Sequence, residues 1–457
     1  MQMQKVRFRL RRGRKRPALA LRGVAVLLMV VAVAACGSSS KNSASNTAGS
    51  SAASGSTSAG SSGSTASQPK GSPINVMTIA SVNYAGPNYD NILATAKVYG
   101  QWINAHGGIN GHPLNVTTCD EQGDPTRTAQ CGRDAIANHD VAIIGSFTLN
   151  GNAIIPELQA AKTSWFGICC AASSDELVSP VVQQIGSDDA IASALMVKAT
   201  EDGCKKPGLV LLNAGAVDTI AETWAKAGLK SVNGPPLVKT VLLPLTAQDY
   251  APQVAQATNG TDCIIADIAQ ANFPPFMQAF EAAGATQRIY GPQGNLDITV
   301  TKPFPKGTEN AVIAGTYSDI SLPVWSQYRQ ALSEFHAPSK NNYNSLGGLG
   351  TWAAYVAFDQ IVSKMTGPIN NATFLAAAQK ATVDLPGMVG SGPIDFAQPF
   401  TGLGPAFKNL PNRAITFDVV HNGVPVPFDN GKFFDMTNAL TGQPLPAADT
   451  PPGGQGS

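Results

Sequence analysis

Short apolar runs alternate with helical patterns along most of this chain, and that alternation leaves few folds open to it. Ile74–Val82, Leu114–Thr118, Val141–Gly145, Ser164–Cys169 and Val181–Ile185 read as strands. Asn88–Ala105, Pro125–Ala137 and Gly151–Ala161 lie between them with apolar residues at helical spacing. The rhythm then resumes with helix Ala190–Glu201, strand Leu209–Asn213, helix Val217–Ala227 and strand Leu237–Leu243. Helix Tyr250–Ala257, strand Cys263–Asp267, helix Pro274–Ala283 and strand Ile289–Gly291 follow. Continuously apolar strands separated by helices indicate parallel sheets covered on both faces. Right-handed crossovers wind such sheets into doubly wound layers. The fold class is therefore α/β, with two doubly wound parallel-sheet lobes joined by a hinge.

Residues 73–186 form the body of lobe 1 and residues 187–309 that of lobe 2. Strand Val312–Tyr317 and helices Pro323–Phe335 and Leu346–Met365 return the chain to lobe 1, over about 310–385. Residues from about 386 to 430 rejoin lobe 2. Residues 431–457 read as a Pro/Gly-rich tail whose last ~20 residues should fray. Sheets of this kind bind ligands beyond the carboxyl ends of their strands. Two lobes facing each other make a cleft there, and a hinge lets it close.

The N-terminus has the architecture of an export signal. Lys5, Arg7, Arg9, Arg11, Arg12, Arg14, Lys15, Arg16 and Arg22 precede the apolar run Gly23–Ala35, with no acidic residue among them. That run has 13 residues, and a membrane-spanning helix needs ~20. Residues 1–35 are thus expected to be a cleaved leader. Its ending, Val33-Ala34-Ala35-Cys36, resembles the bacterial lipobox, which implies lipidation at Cys36. Residues 36–72 follow as a tether. Of the 36 residues from Gly37 to Ser72, 15 are Ser and six are Gly, with no aromatic side chain. Such a segment buries too little apolar surface to order itself, and as a coil it spans roughly 35 Å.

The leader also distorts the charge balance. The chain has 31 basic and 30 acidic residues; without the nine leader cations, 22 face 30, a net charge of −8. An acidic body offers no basic stripe to nucleic acid. Cysteine usage fits export as well. Setting Cys36 aside leaves six. Cys119 and Cys131 lie close enough in sequence for a short-loop bridge. Cys204 and Cys263 each precede a strand, and are adjacent if those strands are parallel neighbours. Cys169-Cys170 is either a vicinal disulfide or two buried thiols. No Cys or His pair has zinc spacing, so no metal or other cofactor is expected.

Catalytic motifs are missing. His106, His112, His139, His336 and His421 are scattered, and neither a nucleophile elbow nor a phosphate loop occurs in the body. Gly347-Gly348-Leu349-Gly350 reads as a helix-entry loop. Of the paired carboxylates, Asp120 suits a turn and Asp188 a helix cap. No catalytic residue is assigned, and an enzyme is not expected.

His106-Gly107-Gly108-Ile109-Asn110-Gly111-His112-Pro113-Leu114 reads as helix stop, turn and strand; Asp124-Pro125 opens a helix, and Ile143-Ile144-Gly145-Ser146 ends a strand. Together with the lipobox-like ending, these resemble the leucine/isoleucine/valine-binding family of ABC-importer receptors, over about residues 73–425. The resemblance implies the type I periplasmic-binding fold. It further implies that two lobe-1 loops hold a ligand carboxylate: one with Thr148, Leu149 and Asn150, the other with Ala171, Ala172, Ser173 and Ser174. Tyr84 and Tyr89 fall where the family has an aromatic wall. In lobe 2, Asn213, Gln270, Asn272 and Phe273 are placed at the opposite wall. The family's acidic turn for a ligand ammonium is here Gly291-Pro292-Gln293-Gly294. Gln293 hydrogen-bonds but carries no charge, which leaves Asp267 or Asp297 for an amine.

The expected function is that of a lipid-anchored receptor on the outer face of a bacterial cell membrane, monomeric, delivering a small polar solute to ABC permease subunits. A branched-chain amino acid, an amide or an organic acid would be the solute. The alternative is a ligand sensor of the same fold coupled to a signalling partner.

Overall fold

The computed structural model describes residues 69–84, 88–213, 216–245 and 249–454. The leader, Cys36 and nearly all of the tether lie outside the described residues. No described helix is long and apolar enough to cross a membrane.

Lobe 1 is built on β1 (Ile74–Ala80), β2 (Leu114–Asp120), β3 (Ala142–Ile144), β4 (Ser164–Ile168) and β5 (Val182–Gln184), with α1 (Asp90–Ala105), α2 (Pro125–Ala137), α3 (Ile155–Ala161) and α4 (Ser174–Val178) as connections. All five strands are parallel, in the order β2-β1-β3-β4-β5. Local chemistry sets the boundaries. Asp124 accepts from the N–H groups of Thr126 and Arg127 with Pro125 in the first turn, so α2 starts capped. At the end of α1, Gly107 and Gly108 take φ of 98° and 72°, which favours glycine.

Lobe 2 repeats the plan with α5 (Ile191–Glu201), β6 (Pro207–Leu212), α6 (Ala216–Ser231), β7 (Lys239–Leu243), α7 (Ala251–Thr258), β8 (Cys263–Asp267), α8 (Phe273–Ala282), β9 (Arg288–Pro292), α9 (Ile298–Thr301) and β10 (Val312–Gly315). The order β7-β6-β8-β9-β10 matches that of lobe 1, strand for strand. Here the expectation for Val312–Tyr317 is corrected. β10 pairs with β9, and the chain leaves lobe 2 only after Gly315.

The return to lobe 1 comprises α10 (Ser326–Glu334), α11 (Leu346–Val362), α12 (Asn371–Ala378) and the short hairpin β11 (Thr382–Val383) and β12 (Ile394–Asp395). Val383, Leu385, Val389 and Ile394 belong to the lobe-1 core, so this return runs past residue 385. α11 is buried on nearly every side, as a helix apolar all round must be. It lies directly against the sheet because Gly145 and Gly167 face it. A Cβ on Gly167 would stand 2.4 Å from the Ala354 Cβ, and one on Gly145 2.9 Å from the Thr351 Cα. Gly347–Gly350 is therefore no entry loop but the first turn of α11, after the Ser345 cap.

The remaining chain rejoins lobe 2. β13 (Ala414–His421) adds antiparallel to β10, and β14 (Val424–Pro427) and β15 (Phe434–Asp435) pair with β13. α13 (Thr437–Thr441) then packs on α6. The tail is not frayed as composition suggested. The Gly454 N–H donates to Asp202 at 2.9 Å, and the Gly454 carbonyl accepts from the buried Lys198 at 2.9 Å.

Three crossings join the lobes, through Gly186-Ser187, Gly315-Thr316 and Asn412-Ala414. The first two are buried and the third partly so, and they are laced together: the Asn412 amide donates to the Ile185 carbonyl at 3.1 Å, and the Ser187 hydroxyl to the Ala414 carbonyl at 2.6 Å. Cys119 is bonded to Cys131 with Cα atoms 5.9 Å apart, Cys204 to Cys263 at 6.0 Å, and Cys169 to Cys170. The second bridge spans the entry points of β6 and β8, which are paired neighbours.

Candidate ligand-binding cleft

The carboxyl ends of both sheets open on a cavity of 420 Å³ between the lobes. From lobe 1, Asn88, Tyr89, Asn91 and Ile92 enter it at the start of α1, Phe147 from the turn after β3, and Cys169-Cys170 from the end of β4. Tyr89 and Phe147 meet edge to face, centroids 5.1 Å apart, and with the two sulfurs they form an apolar wall. The close seating of α11 brings its N-terminus, Ser345 to Gly347, to the same space. Lobe 2 contributes Gln270, Ala271 and Pro274 after β8 and Gly294, Asn295, Thr299 and Val300 after β9. Asp188, next to the hinge, closes the ring.

Of the eleven ligand residues expected from sequence, Tyr89 and Gln270 line this cavity. The others have other partners, and the reason is consistent. Thr148 is buried and its hydroxyl donates to Glu121 at 3.0 Å; the Asn150 amide reaches the same carboxylate at 3.4 Å. Glu121, fully buried, also accepts from Ser81 and from Thr128. The other loop closes on Glu176. That carboxylate accepts from the Ala172 N–H at 2.9 Å and the Ser173 hydroxyl at 2.9 Å. Burial still pushes Glu176 up to about 7. Ser174 begins α4, and Ala171 packs beside Leu177, Phe400 and Leu410. The two loops expected to cradle a ligand carboxylate are thus occupied by the protein's own.

Tyr84 instead covers Gly123, where a Cβ would stand 2.3 Å from its ring. Asn213 is exposed and held by its backbone to the Leu243 carbonyl at 2.8 Å. Asn272 is buried and donates to the Tyr250 hydroxyl at 2.6 Å. Gln293 lies outside the cavity wall. Its amide donates to the Tyr317 carbonyl at 2.8 Å and accepts from the Tyr317 N–H at 3.3 Å, pairing with that backbone as a strand would.

The acidic groups separate into engaged and unengaged. Asp297 caps α9 and accepts from Gln270 and Asn342, each at 2.7 Å. Asp188 was expected to cap a helix and does not; its carboxylate makes no hydrogen bond or ion pair among the described residues. Nor does that of Asp267, which ends β8 three residues before Gln270. Burial holds Asp188 well above the usual carboxylate range, and the charge of Asp267 raises it further, more than that of adjacent Asp189. Asp267 is itself pushed up to about 6 by burial. Among the described residues no Lys, Arg or His lines the cavity. Among the described residues Cys204, Asp262 and Cys263 come close enough together to suggest a metal, but both sulfurs are in a disulfide.

Sequence signals existed for some residues it missed. Phe147 and Cys169-Cys170 directly precede the two expected loops, and Asp188 begins the second run. The α11 N-terminus had no such signal, because its place depends on packing 200 residues away in sequence from Gly145 (206 for the Thr351 hydroxyl on the Gly145 carbonyl, 2.9 Å).

A family model described as periplasmic binding protein matches residues 80–401. No curated protein matches the chain. Among solved structures, a substrate-binding periplasmic protein from Ralstonia solanacearum superposes with a TM-score of 0.65 at 17% identity, covering 78% of this chain and 99% of that one. A fatty acid ABC transporter substrate-binding protein from Thermomonospora curvata gives 0.63 at 17% identity, with 83% and 96% covered. A solute binding protein of an ABC transporter from R. palustris, in complex with benzoate, gives 0.60 at 15% identity, with 78% and 95% covered. At such identities the likeness speaks for the fold.

Proposed function

We propose, on the premise that the chain belongs to the periplasmic binding protein family, that it is an extracytoplasmic receptor which encloses a small solute between its lobes and presents it to an ABC importer. The observation that carries this reading is the 420 Å³ cavity at the facing carboxyl ends of two sheets with one strand order. Its size suits a ligand of roughly ten to twenty heavy atoms. Closure follows from differential affinity: a solute touching both lobes binds the closed form better and draws the equilibrium toward it.

The leader, Cys36 and the Ser/Gly run support export and a lipid anchor, with the tether letting the body turn toward a membrane partner. That the family is one of binding proteins, as are the solved structures the chain resembles, supports binding without turnover.

The test is a thermal-shift screen over amines, amides, acids and amino acids, since a ligand at 100 times its Kd stabilises by ~2.7 kcal/mol. Hits should reduce the radius of gyration in solution scattering. Unchanged melting and scattering across the library would overturn the reading. Labelled fatty acid should enter the wild type and not Cys36→Ala.

A further inference from the structure

We propose that the interlobe cavity takes an organic monocation with an apolar body, its charged nitrogen at Asp188 and its body against Tyr89, Phe147 and the Cys169-Cys170 pair. This rests on the receptor reading and narrows it to a ligand class.

Three observations converge. First, the donors of the two loops expected to hold an anion are already spent, since Glu121 holds the Thr148 loop and Glu176 the Ser173 loop. Among the described residues no cationic side chain lines the cavity to replace them. Second, the unspent polar atoms are mostly acceptors. Asp188 and Asp267 have no hydrogen bond or ion pair among the described residues. Asn91, on the wall, has a buried Oδ1 without a partner. Tyr317, fully buried and close enough to feel the Asp188 charge, also has a hydroxyl without a partner. Buried polar atoms such as the Asn91 Oδ1 and the Tyr317 hydroxyl are satisfied as a rule, and an acceptor is satisfied by a donor. Third, Asp297, the other acidic candidate, is fully occupied by Thr299, Gln270 and Asn342.

A metal ion fits less well. Calcium takes six to eight oxygen ligands, whereas the wall here offers one carboxylate among aromatic rings, amides and sulfur. An ammonium needs two or three acceptors and tolerates an apolar flank. Asp188 belongs to lobe 2 and the apolar wall to lobe 1, so a ligand touching both bridges the lobes.

Titration calorimetry of the intact protein at pH 7.5 with 2-phenylethylamine, 2-phenylethanol and 3-phenylpropionate tests this. A charge-assisted hydrogen bond is worth ~1.5–3 kcal/mol, so the amine should bind at least about tenfold tighter than the alcohol, and the acid weakest. Asp188→Asn should erase most of the amine preference and Asp267→Asn should reduce it, the alcohol losing less than the amine in each. A purely structural role would weaken both together. An acid or alcohol that binds as tightly as the amine and compacts the protein overturns the cation assignment while the receptor reading stands. Amine preference surviving in both variants, or no binding by any of the three probes, also overturns the assignment. The receptor reading falls only if the broad library is silent too.

Discussion

Ser187 and Thr316 hold two of the three lobe crossings together: the Ser187 N–H donates to Thr316 Oγ1 at 2.6 Å, and the two hydroxyls lie 2.7 Å apart. Because the Ser187 hydroxyl donates to the Ala414 carbonyl, Thr316 is the donor between the hydroxyls. One hydroxyl pair therefore links all three crossings in a fully buried place. Thr316→Val keeps the shape and leaves the Ser187 N–H without an acceptor. A buried unsatisfied donor costs about 1–3 kcal/mol, and urea denaturation should register that loss. Unaltered stability would show that the crossings do not depend on this link.

Gln293 is a second place where a small change separates two readings. The family resemblance suggests that a glutamate there would hold a ligand ammonium. In the structure both ends of the amide are used by the Tyr317 backbone, and Glu cannot donate to the Tyr317 carbonyl. Gln293→Glu should therefore lower stability by about 1–3 kcal/mol and give no gain in amine affinity. Calorimetry showing tighter amine binding by this variant would reverse that conclusion.

Buried carboxyls set the pH response. Asp140 is 1% exposed, neither oxygen has a partner, and burial pushes it up to about 7. Its unfolded value is ~3.9. A group raised on folding favours the folded state below the unfolded value, and that contribution is lost as pH rises through the folded one. Glu176, also near 7, acts in the same direction. Melting temperature should thus fall by several degrees between pH 5 and pH 8, at about 2–4 °C per kcal/mol for a domain of some 200 residues. Asp140→Asn should flatten part of that fall, and an equal slope in both proteins would exclude Asp140 as a source.

The two long-loop disulfides should differ in worth. Cys119–Cys131 closes 12 residues and Cys204–Cys263 closes 59. The chain-entropy model gives ~3 and ~4 kcal/mol for such loops. Paired Cys→Ser variants measured by denaturation should rank in that order, with the second weaker fold also losing the tie between β6 and β8. The reverse ranking would mean that the folded state, rather than the unfolded chain, decides their effect.

Alternation and apolar runs made both sheets legible, because a parallel strand covered on both faces has to be continuously apolar. β13 was not legible: Ala414–His421 follows a Pro/Gly-rich stretch, and its place beside β10 depends on partners 101 to 107 residues earlier. The site divided along the same line. Tyr89 and Gln270 follow strands directly, so their position could be inferred from the fold. Thr148 and Ser173 looked available because a hydroxyl in a loop does not reveal that a buried glutamate elsewhere has claimed it. Asp188 looked like a cap because any Asp before a helix does.

Composition suggested a loose end where the chain instead finishes a buried ion network. Lys198 is fully buried and pairs with Asp202, which also accepts from Tyr290 at 3.1 Å and faces Arg288 at 3.0 Å. Removing a charge from water is costly unless its remaining hydrogen bonds are met, and Gly454 meets one on each partner. The tail reaches them only because Gly453 lies against α5, where a Cβ would stand 2.2 Å from the Glu201 carbonyl oxygen. Truncation after Thr450 should lower stability by about 1.5–3 kcal/mol, the worth of a hydrogen bond to a charged group. Gly453→Ala should cause a similar loss, since backbone cannot give way as a flexible side chain does. Hydrogen exchange would show faster opening at the end of α5 in both variants. A tail that hangs free would make both as stable as the parent, and α5 would exchange at an unchanged rate.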